Sequence, residues 1–219
     1  MEIHIWSDVV CPWCYLGKRR FEKALSTFEH RDQVQVVHRA FELDPTAPKD
    51  QTFDTVELIS GKYGISAAQF KAQQAHLIEL AAAEGLEYNL DGGRSGNSFD
   101  AHRLVRLGRE RGIQDAVIER FFRAYFTEQR SLFEADSLVA LAVEAGLDGD
   151  EARSVLAEQK YTEAVQDDIR QARAYGANGV PLFVIDERYG ISGAQATEAF
   201  ASTLNRAWAD QATAGSDTN

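Results

Sequence analysis

Cys11-Pro12-Trp13-Cys14 contains the only two cysteines of the chain. A strand-like opening precedes them, with Ile3 and Ile5 alternating with polar neighbours and Trp6 beside them, and a helical pattern follows. Two thiols at this spacing, between a strand and a helix, form a dithiol that can open and close a disulfide at the start of the helix. The competing readings are half of a zinc site or two inert thiols. Structural zinc takes four ligands. The chain offers no second cysteine pair, and its histidines are scattered at 4, 30, 38, 76 and 102. The setting therefore favours redox chemistry and no metal.

Disulfide exchange proceeds through a thiolate, whereas a free thiol with a pKa of about 8.5 is mostly protonated near neutrality. The N-terminus of a helix offers unsatisfied N–H donors and a partial positive charge that stabilise a thiolate. Cys11 falls at or just before such a terminus, and Pro12 suits the first turn, where its missing N–H costs nothing. Cys14 is one turn further in, on the packed face. The expected roles are an exposed, attacking Cys11 and a sheltered, resolving Cys14. Trp13 between them is either core packing or a partly exposed docking surface. No histidine stands between the cysteines, so no imidazolium there adds to the helix-end field. Asp8, three residues before Cys11, contributes a charge of the wrong sign for a thiolate. A less stabilised thiolate means a less stabilised reduced form, hence a milder couple than a Cys-Pro-His-Cys site would give.

The elements around the motif follow from periodicity. Residues 2–7 alternate and predict a first strand. From Pro12 to Phe28, Cys14, Gly17, Phe21, Leu25 and Phe28 recur at spacings of three and four, one helix face. Residues 34–41 predict a second strand. After the turn region Asp44 to Pro48, no strand-rich block returns until 181–185, with 189–192 as its hairpin partner across Asp186, Glu187 and Arg188. A last helix is expected from about Ala194 to Trp208, with Phe200, Leu204 and Ala207 on one side. The middle is helical: 66–84, then a break at Gly92, Gly93 and Gly96, then a helix with Ser98 as candidate N-cap. Apolar stripes follow at Ile118, Phe121, Phe122, Tyr125 and Phe126, at Leu138, Leu141, Ala142 and Ala145, and at Val165, Ile169 and Ala172; such stripes are packing surfaces. The order β-α-β, many helices, β-β-α describes an α/β chain with a thioredoxin-like fold and a large all-helical insertion. The expected organisation is a thioredoxin-like domain from 1–50 and 178–210, a helical insertion domain from 51–177 and a disordered tail from 211–219.

Gly179-Val180-Pro181-Leu182-Phe183-Val184 is the second constellation. A proline opening an apolar strand is by base rate an edge-strand trans proline, since cis accounts for about 5–6% of X–Pro bonds in folded proteins. In a thioredoxin-like unit, however, this segment lies against the end of the CxxC helix. A cis Val180–Pro181 bond there turns the Val180 backbone toward the site, leaving N–H and C=O groups for an extended substrate chain.

Bulk properties bound the rest. The chain has 219 residues, 44% of them hydrophobic, and a formal net charge of −11. That balance excludes a general nucleic-acid binder, which needs surplus Lys and Arg against phosphate. No apolar run approaches the roughly 20 residues of a membrane span, so no membrane partner is expected. The first strand begins at Glu2 and leaves no room for a leader, so a cytoplasmic location is expected. In a reducing compartment an isolated cysteine pair is catalytic sooner than structural. Oligomeric state is left open.

With both motifs in place, the chain resembles the DsbA-like thioredoxin-fold family, and within it the cytoplasmic FrnE-type branch. The strings that carry the resemblance are Ser7-Asp8-Val9-Val10-Cys11-Pro12-Trp13-Cys14-Tyr15-Leu16-Gly17, Phe41-Glu42-Leu43, Asn97-Ser98-Phe99-Asp100-Ala101-His102-Arg103, Gly179 to Phe183, and Tyr189-Gly190-Ile191-Ser192-Gly193-Ala194-Gln195. They span residues 2 to about 208. The resemblance implies a thioredoxin fold with a helical insertion, thiol–disulfide oxidoreductase or isomerase activity, and a cis proline at Val180–Pro181. The implied partners are disulfide-containing proteins or small thiols and disulfides.

A sister group with the same insertion comprises the 2-hydroxychromene-2-carboxylate isomerases and kappa-class glutathione transferases. These typically carry Ser in place of the first cysteine and use it to activate glutathione. By that likeness no cofactor is permanently bound, glutathione is a candidate co-substrate, and Asn97 and His102 are candidates to line its pocket; for His102 a satisfied helix histidine at a domain junction weighs equally. Three functions compete: a dithiol–disulfide oxidoreductase, a glutathione-dependent transferase or isomerase, and a non-catalytic module holding a soft ion such as Cu(I). Retention of Cys14 favours the first. The expected potential lies between the ~−270 mV of thioredoxin and the ~−120 mV of DsbA, nearer the former.

Overall fold

A computed structural model describes residues 1–216. The chain opens with β1 (Glu2–Ser7), α1 (Pro12–Ser26) and β2 (Gln35–Ala40). A long segment follows: β3 (Phe53–Asp54), α2 (Thr55–Tyr63), α3 (Ala67–Ala83), β4 (Arg94–Ser95), α4 (Phe99–Glu110), α5 (Gln114–Phe126), α6 (Ala135–Glu144), α7 (Gly149–Ala157) and α8 (Thr162–Ala174). The chain then returns with β5 (Leu182–Ile185), β6 (Tyr189–Ser192) and α9 (Thr197–Ser216). The main sheet has the order β2-β1-β5-β6, with β1 parallel to β2 and antiparallel to β5. No helix among the described residues is long and apolar enough to cross a membrane.

Period-two alternation explains how β1 serves two cores. Ile3 and Ile5 join Phe183 and Ile185 on one face, where Phe21 of α1 and Phe200 and Leu204 of α9 cover them. Trp6 faces the other side with Leu182, Val184 and Ala172 of α8, and its Nε1 donates to the Asp168 carbonyl at 2.8 Å. The helices between β4 and α8 build a separate core around Phe121, Phe122, Leu138 and Leu141, and this core runs continuously into Cys11, Cys14, Tyr15 and Leu16. The predicted apolar stripes of α5, α6, α8 and α9 all face inward.

Three details depart from the sequence reading. The insertion is not purely helical: β3 and β4 pair antiparallel, Phe53 opposite Ser95 and Asp54 opposite Arg94. Strands of two residues leave no periodic signal, and Gly93 beside β4 serves the pairing, its carbonyl accepting from Thr55 N–H at 3.0 Å. Helix α9 runs to Ser216, well into the stretch expected as tail, and 217–219 lie outside the described residues. Ser98 occupies the N-cap position of α4 without a side-chain bond, while Asn97 Oδ1 accepts from Phe99 N–H at 3.0 Å.

Lys18 joins α1 to α5. Its ammonium is buried, with Glu22 as one partner, Glu119 Oε2 at 2.8 Å and Asp115 Oδ1 at 3.1 Å. Burial alone would push this group down, but Glu119, Glu22 and Asp115 outweigh it and raise it. The His38 hydrogen bond, then Lys18 working against burial, hold the Asp115 carboxyl below the usual range. Glu119 is held down as well: burial raises it, and Lys18 and the Tyr15 hydroxyl more than offset that. Lys18→Met should cost roughly 2 kcal/mol in urea unfolding at neutral pH. This is less than the ~3–5 kcal/mol of a broken, fully buried pair, because the carboxylates keep partial exposure. Depressed carboxylates stabilise the fold above their unfolded pKa of about 4, and that contribution is lost as pH falls through their folded values. The difference between wild type and Lys18→Met should therefore shrink on acidification below about pH 4. A pH-independent difference would mean that Lys18 acts through packing alone.

Candidate active site

The turn after β1 places the dithiol. Cys11 N–H donates to the Asp8 carbonyl at 2.9 Å, and Cys14 N–H donates to the Cys11 carbonyl at 3.0 Å. Cys11 is the N-cap of α1, extended at φ −94° and ψ 111°, with Pro12 at the first helical position. Cys11 and Pro12 occupy the helix-terminus positions that the sequence predicts. Both cysteines are free thiols.

Cys11 is not the exposed thiol expected from sequence: it is 4% exposed, against 1% for Cys14. The reason is long-range. The Val180 carbonyl lies 3.7 Å from Cys11 Sγ, accepting from it, and covers the sulfur. The Val180–Pro181 bond is cis, as the motif predicts. Pro181 packs on α1 at Gly17, where a Cβ would stand 2.9 Å from Pro181 Cγ. No larger residue allows that approach without a shift. Gly193 N–H donates to the Pro181 carbonyl at 2.8 Å and ties the segment to the end of β6. A groove of about 400 Å³ opens beside it, lined by Tyr175, Asn178, Gly179, Val180, Pro181 and Ser192. Trp13 is 42% exposed at the rim of the dithiol turn, in keeping with the docking alternative.

The thiols differ electrostatically. Burial, then hydrogen bonding with Cys11 and the charge on Cys11, push the Cys14 thiol well up, and a backbone hydrogen bond to Asp8 pulls weakly the other way. Cys14 is thus held protonated in the reduced protein near neutrality.

Two further groups reach the turn: Tyr88, which the sequence reading did not single out, and Asp8, which it read only as an unfavourable charge. Tyr88, between α3 and β4, donates its hydroxyl to the Pro12 carbonyl at 2.6 Å and tilts against Phe126 with ring centroids 5.3 Å apart. Burial, with the Cys11 charge next, raises its phenol far above the usual range. The Asp8 side chain is 1% exposed, and Oδ2 accepts from Leu43 N–H at 2.8 Å. Nothing local marks Tyr88, whose partner is 76 residues away.

His102 is brought to the turn through Asp8, and neither it nor Asn97 lines the groove. Asn97 Nδ2 donates to the Ala47 carbonyl at 2.9 Å, so both ends of its amide are engaged. His102 is 3% exposed, with Nε2 3.3 Å from Asp8 Oδ1. The buried helix histidine is the form the structure takes.

A paired dithiol at a helix N-terminus, faced by a cis-proline segment on a β-α-β…β-β-α frame, defines a thioredoxin-type thiol site. The chain belongs to the family described as DSBA-like thioredoxin domain, whose model matches residues 2–205. A crystal structure of a probable DsbA oxidoreductase from Streptomyces coelicolor superposes with a TM-score of 0.92 at 49% identity, over 95% of this chain and 90% of that one. Protein YwbO of Bacillus subtilis (strain 168) is 28% identical over 207 residues, 94% of this chain and 96% of that protein. A 2-hydroxychromene-2-carboxylate isomerase shares the fold at TM-score 0.69 and 18% identity, with full coverage of both chains.

The contrast between the thiols is directly measurable. Alkylation of the reduced protein near neutral pH, read by peptide mass spectrometry, should label Cys11 first, with Cys14 following only as pH rises, because thiolates are the reacting species. Equal rates, or Cys14 first, would reverse the assignment.

Proposed function

We propose that this protein is a dithiol–disulfide oxidoreductase or isomerase of the FrnE-type branch. In this reading it works in the cytoplasm on disulfide-containing proteins or small disulfides, with glutathione as a candidate co-substrate. One observation carries the reading: Cys11 caps α1 beneath the Val180 carbonyl, while Cys14 lies one turn in, hydrogen-bonded to Cys11 and held protonated. That asymmetry separates an attacking from a resolving thiol. In the reductive direction Cys11 attacks a substrate disulfide, forming a mixed disulfide and releasing one substrate thiol. Cys14 then attacks Cys11 Sγ, the Cys11–Cys14 bond forms, and the second substrate thiol leaves. The oxidative direction is the reverse, and the couple's potential relative to its surroundings selects between them.

Substrate docking follows from the same geometry. An extended chain entering the groove runs along the Gly179–Val180 backbone, and an apolar side chain meets the exposed face of Trp13. The 2-hydroxychromene-2-carboxylate isomerase likeness keeps a glutathione-dependent reaction as the alternative. A second thiol bonded to the first is superfluous for that chemistry, which is why the dithiol reading is preferred.

Cys14→Ser should accumulate mixed disulfides with partner proteins or glutathione, because the resolving step is lost. Cys11→Ser should abolish both adducts and disulfide reduction. In the Cys14→Ser background, Trp13→Ala should reduce protein adducts several-fold and leave glutathione adducts nearly unchanged. Full turnover by Cys14→Ser with glutathione would favour the alternative reaction.

A further inference from the structure

Arg20 lies one turn beyond Gly17 on the same face of α1, and the exchange steps above do not use it. Its Nη1 donates to the Ala194 carbonyl at 2.8 Å, and its Nε donates to Glu84 Oε1 at 3.0 Å. The Arg20 and Glu84 side chains are 15% and 13% exposed, so the pair is largely shielded from water. Glu84 caps the C-terminus of α3, in the insertion, and its second oxygen meets the exposed Lys23 at 3.3 Å. One guanidinium thus joins three parts of the chain: the helix that carries the dithiol, the insertion, and the turn after β6.

That turn holds the cis-proline segment. The β5–β6 ladder ends at Leu182 opposite Ser192, and the bond from Gly193 N–H to the Pro181 carbonyl adds one rung beyond it. Pro181 and Ala194 both rest on Gly17, where a Cβ would stand 2.9 Å from Pro181 Cγ and 3.4 Å from Ala194 Cβ. Such contacts limit how closely the segment approaches α1. They resist its withdrawal only weakly, because each pair of touching atoms contributes little attraction. The Arg20 bond opposes withdrawal, and a charged donor makes it stronger than a neutral one would. The Val180 carbonyl, 3.7 Å from Cys11 Sγ, is therefore held through a series of contacts. Glu84 orients Arg20, Arg20 holds Ala194, Gly193 holds Pro181, and Pro181 carries Val180.

We propose that Arg20, braced by Glu84, is a positioning residue of the thiol site. It keeps the cis-proline segment drawn onto α1, so that Val180 shields Cys11 and a chain lying along Gly179 and Val180 brings its disulfide into line with Cys11 Sγ. The proposal rests on the dithiol reading above and gives Arg20 no part in bond making or proton transfer. Its effect falls on substrates that use the segment. A peptide disulfide aligned along Val180 depends on the clamp, whereas a small disulfide that meets only the sulfur does not.

Two ratios measured on the full reduced chain test this. The first compares attack on a linear peptide whose cysteine carries an aromatic thiol as a mixed disulfide with attack on the small symmetric disulfide of that thiol, both followed by release of the same chromophore. In Arg20→Met the peptide-to-small ratio should fall roughly tenfold, short of the ~100-fold that an ångström of misplacement can cost. The second compares Cys11 labelling by a bulky and a small maleimide, read by peptide mass spectrometry. The bulky-to-small ratio should rise several-fold as the sulfur is uncovered. Global destabilisation moves both members of each ratio together and leaves the ratios unchanged. Arg20→Lys, which keeps a charged donor, should recover part of both effects. Glu84→Gln should shift both ratios in the same directions by less, and it decides the matter if Arg20→Met does not fold. Lys23→Met, which touches Glu84 from the exposed side, should match wild type. Unchanged ratios in Glu84→Gln and in any folded Arg20→Met, or an equal shift in Lys23→Met, would overturn the clamp. A wild type that reacts with neither disulfide would instead overturn the dithiol reading, and the maleimide ratio would still decide the clamp.

Discussion

The hydrogen bond from Cys11 N–H to the Asp8 carbonyl closes the turn on which the site depends. It ends β1, sets Cys11 extended at the cap of α1, and lets Pro12 start the helix without a wasted donor. Cys14 then falls one turn in, and Trp13 is left pointing outward. Because the turn ends at the centre of the sheet, the segment before β5 must pass directly over it. Gly17 permits that passage at contact distance, and the Val180 carbonyl comes to rest on the Cys11 sulfur.

The segment between β2 and β5 is more than a cover. Tyr88 fixes the carbonyl of Pro12, His102 meets Asp8, and Asp115 and Glu119 hold Lys18 on the same helix that carries the dithiol. The helical core and the cysteines belong to one packed cluster. Changes in the insertion therefore reach the dithiol helix and its turn through three polar contacts, of which the Asp8–His102 pair is buried on both sides, where unsatisfied groups are costly.

The legible parts of the sequence were the local ones. The cysteine pair, the proline segment and the inward stripes of α1, α5, α6, α8 and α9 are each encoded within a few turns, where hydrophobic period and special residues suffice. Contacts made across the chain left no such trace. The covering of Cys11 by Val180 spans 169 residues, and the Asp8–His102 contact spans 94. Reading Cys11 as exposed therefore failed for a physical reason, namely that exposure is set by what folds over a residue. Helices α2 and α7 lacked a strong stripe, and α2 has no fully buried residue, so its pattern carried little signal. Asn97 and His102 came from resemblance as candidate pocket residues, and their partners, Ala47 and Phe99 for one and Asp8 for the other, could be found only in three dimensions.

The central claim is that Cys11 and Cys14 form a reversible two-electron couple. Equilibrating the wild-type chain against graded glutathione buffers, quenching with an alkylating agent and weighing the intact protein tests it directly. The account predicts a single transition between the doubly alkylated dithiol and an intramolecular disulfide lacking two hydrogens. The curve should follow two-electron stoichiometry, with a midpoint between ~−270 and ~−120 mV and nearer the former. A protein that stays doubly alkylated across the series, or accumulates only a glutathione adduct on Cys11, would contradict it.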